Sequence, residues 1–83
     1  MRKLTIEPDV TYGLKEIAEE RLFLPFFESE DTRVYRKIVE TDRRKKNMLR
    51  VLIIGEGRRK RYKILGKNIL AFLAELETGT YQL

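Results

Sequence analysis

Eighty-three residues, 42% of them hydrophobic, suffice for one domain with a single modest core, which excludes both a multidomain enzyme and a disordered chain. The chain has no cysteine and no histidine, so a disulfide framework, a zinc-thiolate site and a histidine-based catalytic triad are excluded as well. Fourteen of the eighteen basic residues fall between Arg33 and Lys67 against three acids, a formal +11; the remainder carries four bases and ten acids, −6, restoring the net +5. A field this one-sided attracts a polyanion, and for a small domain the usual polyanion is nucleic acid. The longest apolar run is too short to span a bilayer and no signal-peptide core precedes it, so a cytoplasmic setting without membrane contact is expected.

In chain order, Leu4 and Ile6 alternate with polar neighbours across Lys3–Glu7, and Pro8 ends the run, which predicts at most a short edge strand or arm. Leu14, Ile17, Ala18 and Leu22 then fall at helical spacing. Thr11 or Gly13 is the candidate cap, and Pro25 should end the helix by Leu24. Lys15, Glu16, Glu19 and Glu20 lie off the stripe, an acidic outer face expected to point away from any nucleic acid. Leu22-Phe23-Leu24-Pro25-Phe26-Phe27 is the most apolar stretch. A core this small needs large side chains, so a buried connection is favoured over an exposed patch that docks a partner protein or a second copy.

Ser29 is the expected N-cap of a second helix at 30–40. Val34, Tyr35, Ile38 and Val39 share its apolar side, and Arg33, Arg36, Lys37 and Glu40 the opposite one. A plain solvated face is the simpler account of such a pattern. The continuation of basic residues through Arg43, Arg44, Lys45 and Lys46, in a polar loop at 41–47, weighs against it. Next, Leu49, Val51 and Ile53 alternate with Arg50, Leu52 and Ile54 in strand-like composition, and Gly55-Glu56-Gly57 supplies a turn. Tyr62 and Ile64 on the return strand face one way, Arg61 and Lys63 the other. The expected hairpin therefore has one face packed inward and one cationic face, with Gly57-Arg58-Arg59-Lys60 at its tip. Edge protection by charge explains one lysine better than five basic residues between Arg58 and Lys63. Ile69, Phe72, Leu73 and Leu76 form the stripe of a packing helix at about 67–77, capped near Gly66 or Asn68 and closed by Gly79.

Four segments in this order resemble the excisionase-like, MerR-related winged-helix family. Leu14-Lys15-Glu16-Ile17-Ala18-Glu19 is similar to its first helix, and Val34-Tyr35-Arg36-Lys37-Ile38 to its recognition helix. Gly57-Arg58-Arg59-Lys60-Arg61-Tyr62-Lys63-Ile64 is similar to its wing, and Ile69-Leu70-Ala71-Phe72-Leu73 to its closing helix. The resemblance covers residues 11–77, leaving 78–83 as a tail, and departs from the family in the length of the connection Arg21–Ser29 and of the loop at 41–48. It implies an α+β fold: a small winged helix-turn-helix, helices packed with a two-stranded antiparallel sheet, or a three-stranded one if a further strand joins. It also implies a DNA-binding accessory protein that bends duplex DNA beside a recombination site and directs a tyrosine integrase toward excision. A transcription regulator of the same fold is the alternative within the family.

Under that resemblance Thr32 and Arg33 lie nearest the base edges, Arg36 and Lys37 at the major-groove wall, and Arg58, Arg59 and Lys60 along the minor groove. Arg43, Arg44, Lys45, Lys46, Arg50, Arg61 and Lys63 supply phosphate contacts. One domain of this size should bind a short site weakly, so cooperative self-association on repeated sites, or a partner protein, is expected. An RNA-binding protein ranks second, although neither the aromatic sheet motif of an RNA-recognition fold nor a GXXG loop is present. A protein-interaction module built on Phe23, Phe26 and Phe27 ranks third. An enzyme ranks last: Glu40, Asp42 and Glu56 lack any recognised metal-ligand spacing, and no catalytic residue, metal or cofactor is expected.

Overall fold

The computed structural model describes residues 6–24 and 26–83. In order they form β1 (Thr11–Gly13), α1 (Leu14–Glu19), α2 (Thr32–Arg44), β2 (Leu52–Ile54), a 3₁₀ turn (Gly57–Arg59), β3 (Arg61–Leu65) and α3 (Gly66–Thr78). This is a small α+β fold with three α-helices and one antiparallel sheet in the order β1-β3-β2. The third strand comes from residues 11–13, not from the edge strand expected at Lys3–Glu7. Of that segment Lys3, Leu4 and Thr5 lie outside the described residues, and Ile6 and Glu7 are not in a strand. Among the described residues no helix is long and apolar enough to cross a membrane.

Register sorts the two faces of the sheet. Tyr12 opposes Ile64 and Ile53 opposes Tyr62, and these four side chains face the helices. The helices answer with Leu14, Ile17 and Ala18 from α1, Tyr35, Ile38 and Val39 from α2, and Ile69 and Phe72 from α3. Phe23 is fully buried at the centre, with its ring centroid 5.5 Å from both Tyr35 and Phe72. The phenylalanine-rich connection is therefore split: Phe23 plugs the core, Phe27 is half-buried, and Leu24 and Phe26 are exposed.

Several boundaries differ from expectation for local reasons. Helix α1 stops at Glu19 rather than running toward Leu24, because Arg21 takes a left-handed conformation (φ 51°) and the Leu22 N–H returns to the Ile17 carbonyl at 3.1 Å. That is a Schellman-type stop made without glycine, and Leu22 and Ile17 on either side of it are both buried. Gly13 is the N-cap of α1, with its N–H donated to the Glu16 carboxylate at 3.2 Å. The N-cap of α2 is Asp31, not Ser29, and its carboxylate accepts the Arg33 N–H at 2.9 Å. Ser29 acts one step earlier, its hydroxyl accepting the Asp31 N–H at 3.0 Å.

At its other end α2 extends to Arg44, so the first part of the expected loop at 41–47 is helical. Val34, expected on the apolar side, is exposed, and the buried stripe is Tyr35, Ile38, Val39 and Asp42. Strand β2 is shorter than the expected run from Leu49, although Leu49 is fully buried and the inward-outward alternation holds through Ile54. The hairpin turn is longer than Gly55-Glu56-Gly57. Ile54 pairs with Arg61, and the loop between them includes the 3₁₀ turn. Helix α3 matches expectation and closes on Gly79 in the left-handed region (φ 76°). Its first N–H groups are donated to the carbonyls of Val10 (from Gly66, 2.7 Å) and Pro8 (from Lys67, 3.0 Å). A Cβ at Gly66 would collide with the Glu7 carbonyl, so only glycine permits this approach.

Candidate nucleic-acid interface

A cleft of about 620 Å³ opens between the start of α2 and the β2–β3 hairpin. Thr32 and Arg36 enter it from α2, Lys15 from α1, Arg58 and Lys60 from the hairpin loop, and Arg61 and Lys63 from β3. Residues far apart in the chain thus meet on one surface, with no carboxylate lining it. Among the described residues Arg36, Arg58, Lys60, Arg61 and Lys63 have no carboxylate oxygen within 4.0 Å, so none of them forms an ion pair.

Tyr62 sets the distance between helix and hairpin. The Arg36 guanidinium lies over its ring, 5.7 Å from the centroid, and its hydroxyl donates to the Glu40 carboxylate at 2.9 Å. Arg36 and Glu40 are four residues apart and so share one face of α2. One buried side chain of β3 therefore ties the hairpin to α2 at both Arg36 and Glu40.

A second groove of about 490 Å³ runs along the outer face of α2 between Arg33, Arg36, Lys37 and Arg44, with Glu40 and Thr41 in its wall. Arg36 lines both hollows and joins them. Arg33 is less available than expected. Its side chain pairs with Asp31 at 2.9 Å, which holds that carboxyl below the usual carboxylate range and places an acid at the start of α2. Anion capture by the helix N-terminus is weakened accordingly.

The cluster following α2 divides. Arg44 faces the second groove, and Arg43 leans on Glu40 at 3.9 Å. The Lys45 ammonium donates to the Gln82 carbonyl at 2.8 Å, while Lys46 lies 3.5 Å from Glu75 and 5.4 Å from the Tyr81 ring centroid. Those two lysines bind the C-terminal segment, so they are not brought together with the cleft as the phosphate contacts expected of them. Arg50 is exposed on the approach to β2, in a left-handed conformation (φ 46°). Arg59 is exposed in the 3₁₀ turn, where its N–H donates to the Glu56 carbonyl at 3.3 Å.

Two features escaped the sequence reading. Lys15 lines the cleft although it belongs to a face that looked acidic and remote; its i,i+4 neighbour Glu19 lies at 4.0 Å. No local signal places it there. The tail at 78–83 is also more than a tail. Tyr81 is buried, and its hydroxyl donates to the fully buried Asp42 at 2.6 Å. Asp42 also accepts the N–H groups of Met48 and Leu49, at 3.0 and 2.9 Å. A signal existed for Asp42, since positions 35, 38, 39 and 42 continue one helical stripe.

The outer face of the hairpin is not purely cationic. Leu52 opposes Lys63 and Ile54 opposes Arg61, and both aliphatic side chains are exposed. Among the described residues no three His, Cys, Asp or Glu side chains are grouped so as to hold a metal ion. No family model, no curated protein and no solved structure matches this chain, so its function is argued from this convergence of cations on one cleft.

Proposed function

We propose that this chain is a double-stranded DNA-binding protein of winged-helix type, with α2 in the major groove and the β2–β3 hairpin over the adjacent minor groove. The observation that carries it is the cleft where Arg36 meets Arg58, Lys60, Arg61 and Lys63, none of them paired with a carboxylate among the described residues. A duplex backbone offers phosphates along both rims of a groove, which suits cations presented by two projecting elements better than by a flat patch. Arg36, Lys37 and Thr32 are the residues assigned to the major groove, with Arg33 held back by Asp31. Arg58, Arg59 and Lys60 are assigned to the minor groove, and Arg61, Lys63, Arg44 and Arg50 to phosphates.

RNA is the weaker reading. Tyr12 and Tyr62 face the helices, and the outer face of the sheet carries no aromatic side chain on which bases could stack. The family resemblance extends the proposal to an accessory role beside a tyrosine integrase, and the same surface would serve a transcription regulator. Neither role requires chemistry from the protein, and no enzymatic activity is proposed.

The test is fluorescence anisotropy with a mixed-sequence DNA duplex and a folded RNA of equal length. Tighter binding to the duplex is the expected outcome. Equal or tighter binding to the RNA would overturn the assignment.

A further inference from the structure

Leu52 and Ile54 are the two most exposed large hydrophobic residues of the described chain, at 60% and 55%, and they stand two positions apart on one face of β2. Antiparallel sheets normally turn polar side chains to solvent there, and no described residue covers the pair. Their cross-strand partners are Lys63 and Ile54's own neighbour Arg61, both lining the cationic cleft, with Arg50 exposed just before the strand. The aliphatic strip is thus edged by positive charge from the neighbouring strand, Lys63 beside Leu52 and Arg61 beside Ile54.

That edging decides what covers the strip. A second copy docking face to face would set Arg50, Arg61 and Lys63 against their own counterparts, a like-charge contact that opposes association. An anionic partner meets the cations favourably and leaves the aliphatic groups facing its interior. Duplex DNA has this construction, with phosphates on the rims of a groove and the apolar faces of stacked bases between them.

We propose that Leu52 and Ile54 form an aliphatic wedge that enters the minor groove and partly unstacks a base step, so that the hairpin bends the DNA it binds. The inference rests on the DNA-binding reading and adds a distortion that cations alone do not produce. Unstacking is least costly at pyrimidine–purine steps, so the wedge favours sites with such a step beneath the hairpin.

The experiment uses the full chain and a duplex carrying 2-aminopurine at a central TA step, with a fluorophore pair at its ends. The variants are L52A/I54A and L52T/I54T, the second placing strand-favouring β-branched residues at both positions, and circular dichroism checks that both fold. Wild type should raise the 2-aminopurine emission and shorten the end-to-end distance. Both variants should bind about tenfold more weakly, with the salt dependence unchanged, and lose both optical signals. Wild-type affinity and distortion in the folded variants would overturn the wedge while leaving DNA binding standing. So would a wild-type protein that binds without distorting the duplex, or a variant effect seen only as loss of self-association without DNA. Failure of wild type to bind any duplex would remove the underlying reading itself.

Discussion

Asp42 occupies a stripe position on α2 where an apolar residue is expected, and its burial is compatible with folding only because three donors reach it. Its carboxylate fixes the turn that carries the chain from α2 toward β2, and anchors the C-terminal segment through Tyr81. Asp42→Ala would leave the Leu49 N–H and the Tyr81 hydroxyl without their acceptor. A loss of about 3 kcal/mol in urea-denaturation stability is expected; a loss below about 1 kcal/mol would mean that water or relaxation replaces the carboxylate. Tyr81 adds a pH dependence. Burial first, then its bond to Asp42, push its hydroxyl up to about 12. The unfolded chain ionises this tyrosine near about pH 10, so its contribution is complete below that value and is lost as pH rises from there through about 12. Tyr35, raised mainly by burial, acts in the same direction. Tyr81→Phe should therefore flatten the alkaline fall in stability; an unchanged alkaline profile would assign it to other groups.

At the level of elements, α2 and the β2–β3 hairpin act as one unit because Tyr62 touches both Arg36 and Glu40. If the proposed DNA binding holds, their contributions to it should still separate. Arg36→Ala removes the cation proposed to lie at the major-groove wall, and should lower affinity and change sequence preference in a site-selection assay. Replacing Arg58 and Arg59 with alanine should lower affinity for all sequences and reduce the slope of log affinity against log salt by about one unit per lost phosphate contact. Wild-type binding by both variants would show that the docking geometry is wrong. The hairpin and α3 were legible beforehand because each has a strict local period: two for Leu49 to Ile54 and Arg61 to Leu65, helical for Ile69 to Leu76. The limits of α1 and α2 were less so. Arg21 adopts a conformation usually left to glycine, and Asp31 outcompetes Ser29 as cap by a single hydrogen bond.

For the whole molecule, local periods and the concentration of positive charge between Arg33 and Lys67 determined the α+β class, the core stripes apart from Val34 and Asp42, and the sign of the field, because those depend on residue type and on periods of two or 3.6. Tertiary structure alone decided which cations act together. It placed Lys15 in one cleft with Arg36 and the β2–β3 hairpin, drew Lys45 and Lys46 away to the C-terminal segment, and joined Thr11–Gly13 to β3 as a strand. It also set the exposed Leu52 and Ile54 across from Lys63 and Arg61. These outcomes depend on contacts between residues distant in the chain, chiefly Tyr62 with α2, Asp42 with Tyr81, and the N-terminus of α3 with the turn at 8–10. No local pattern encodes such contacts, since each exists only once the core has closed.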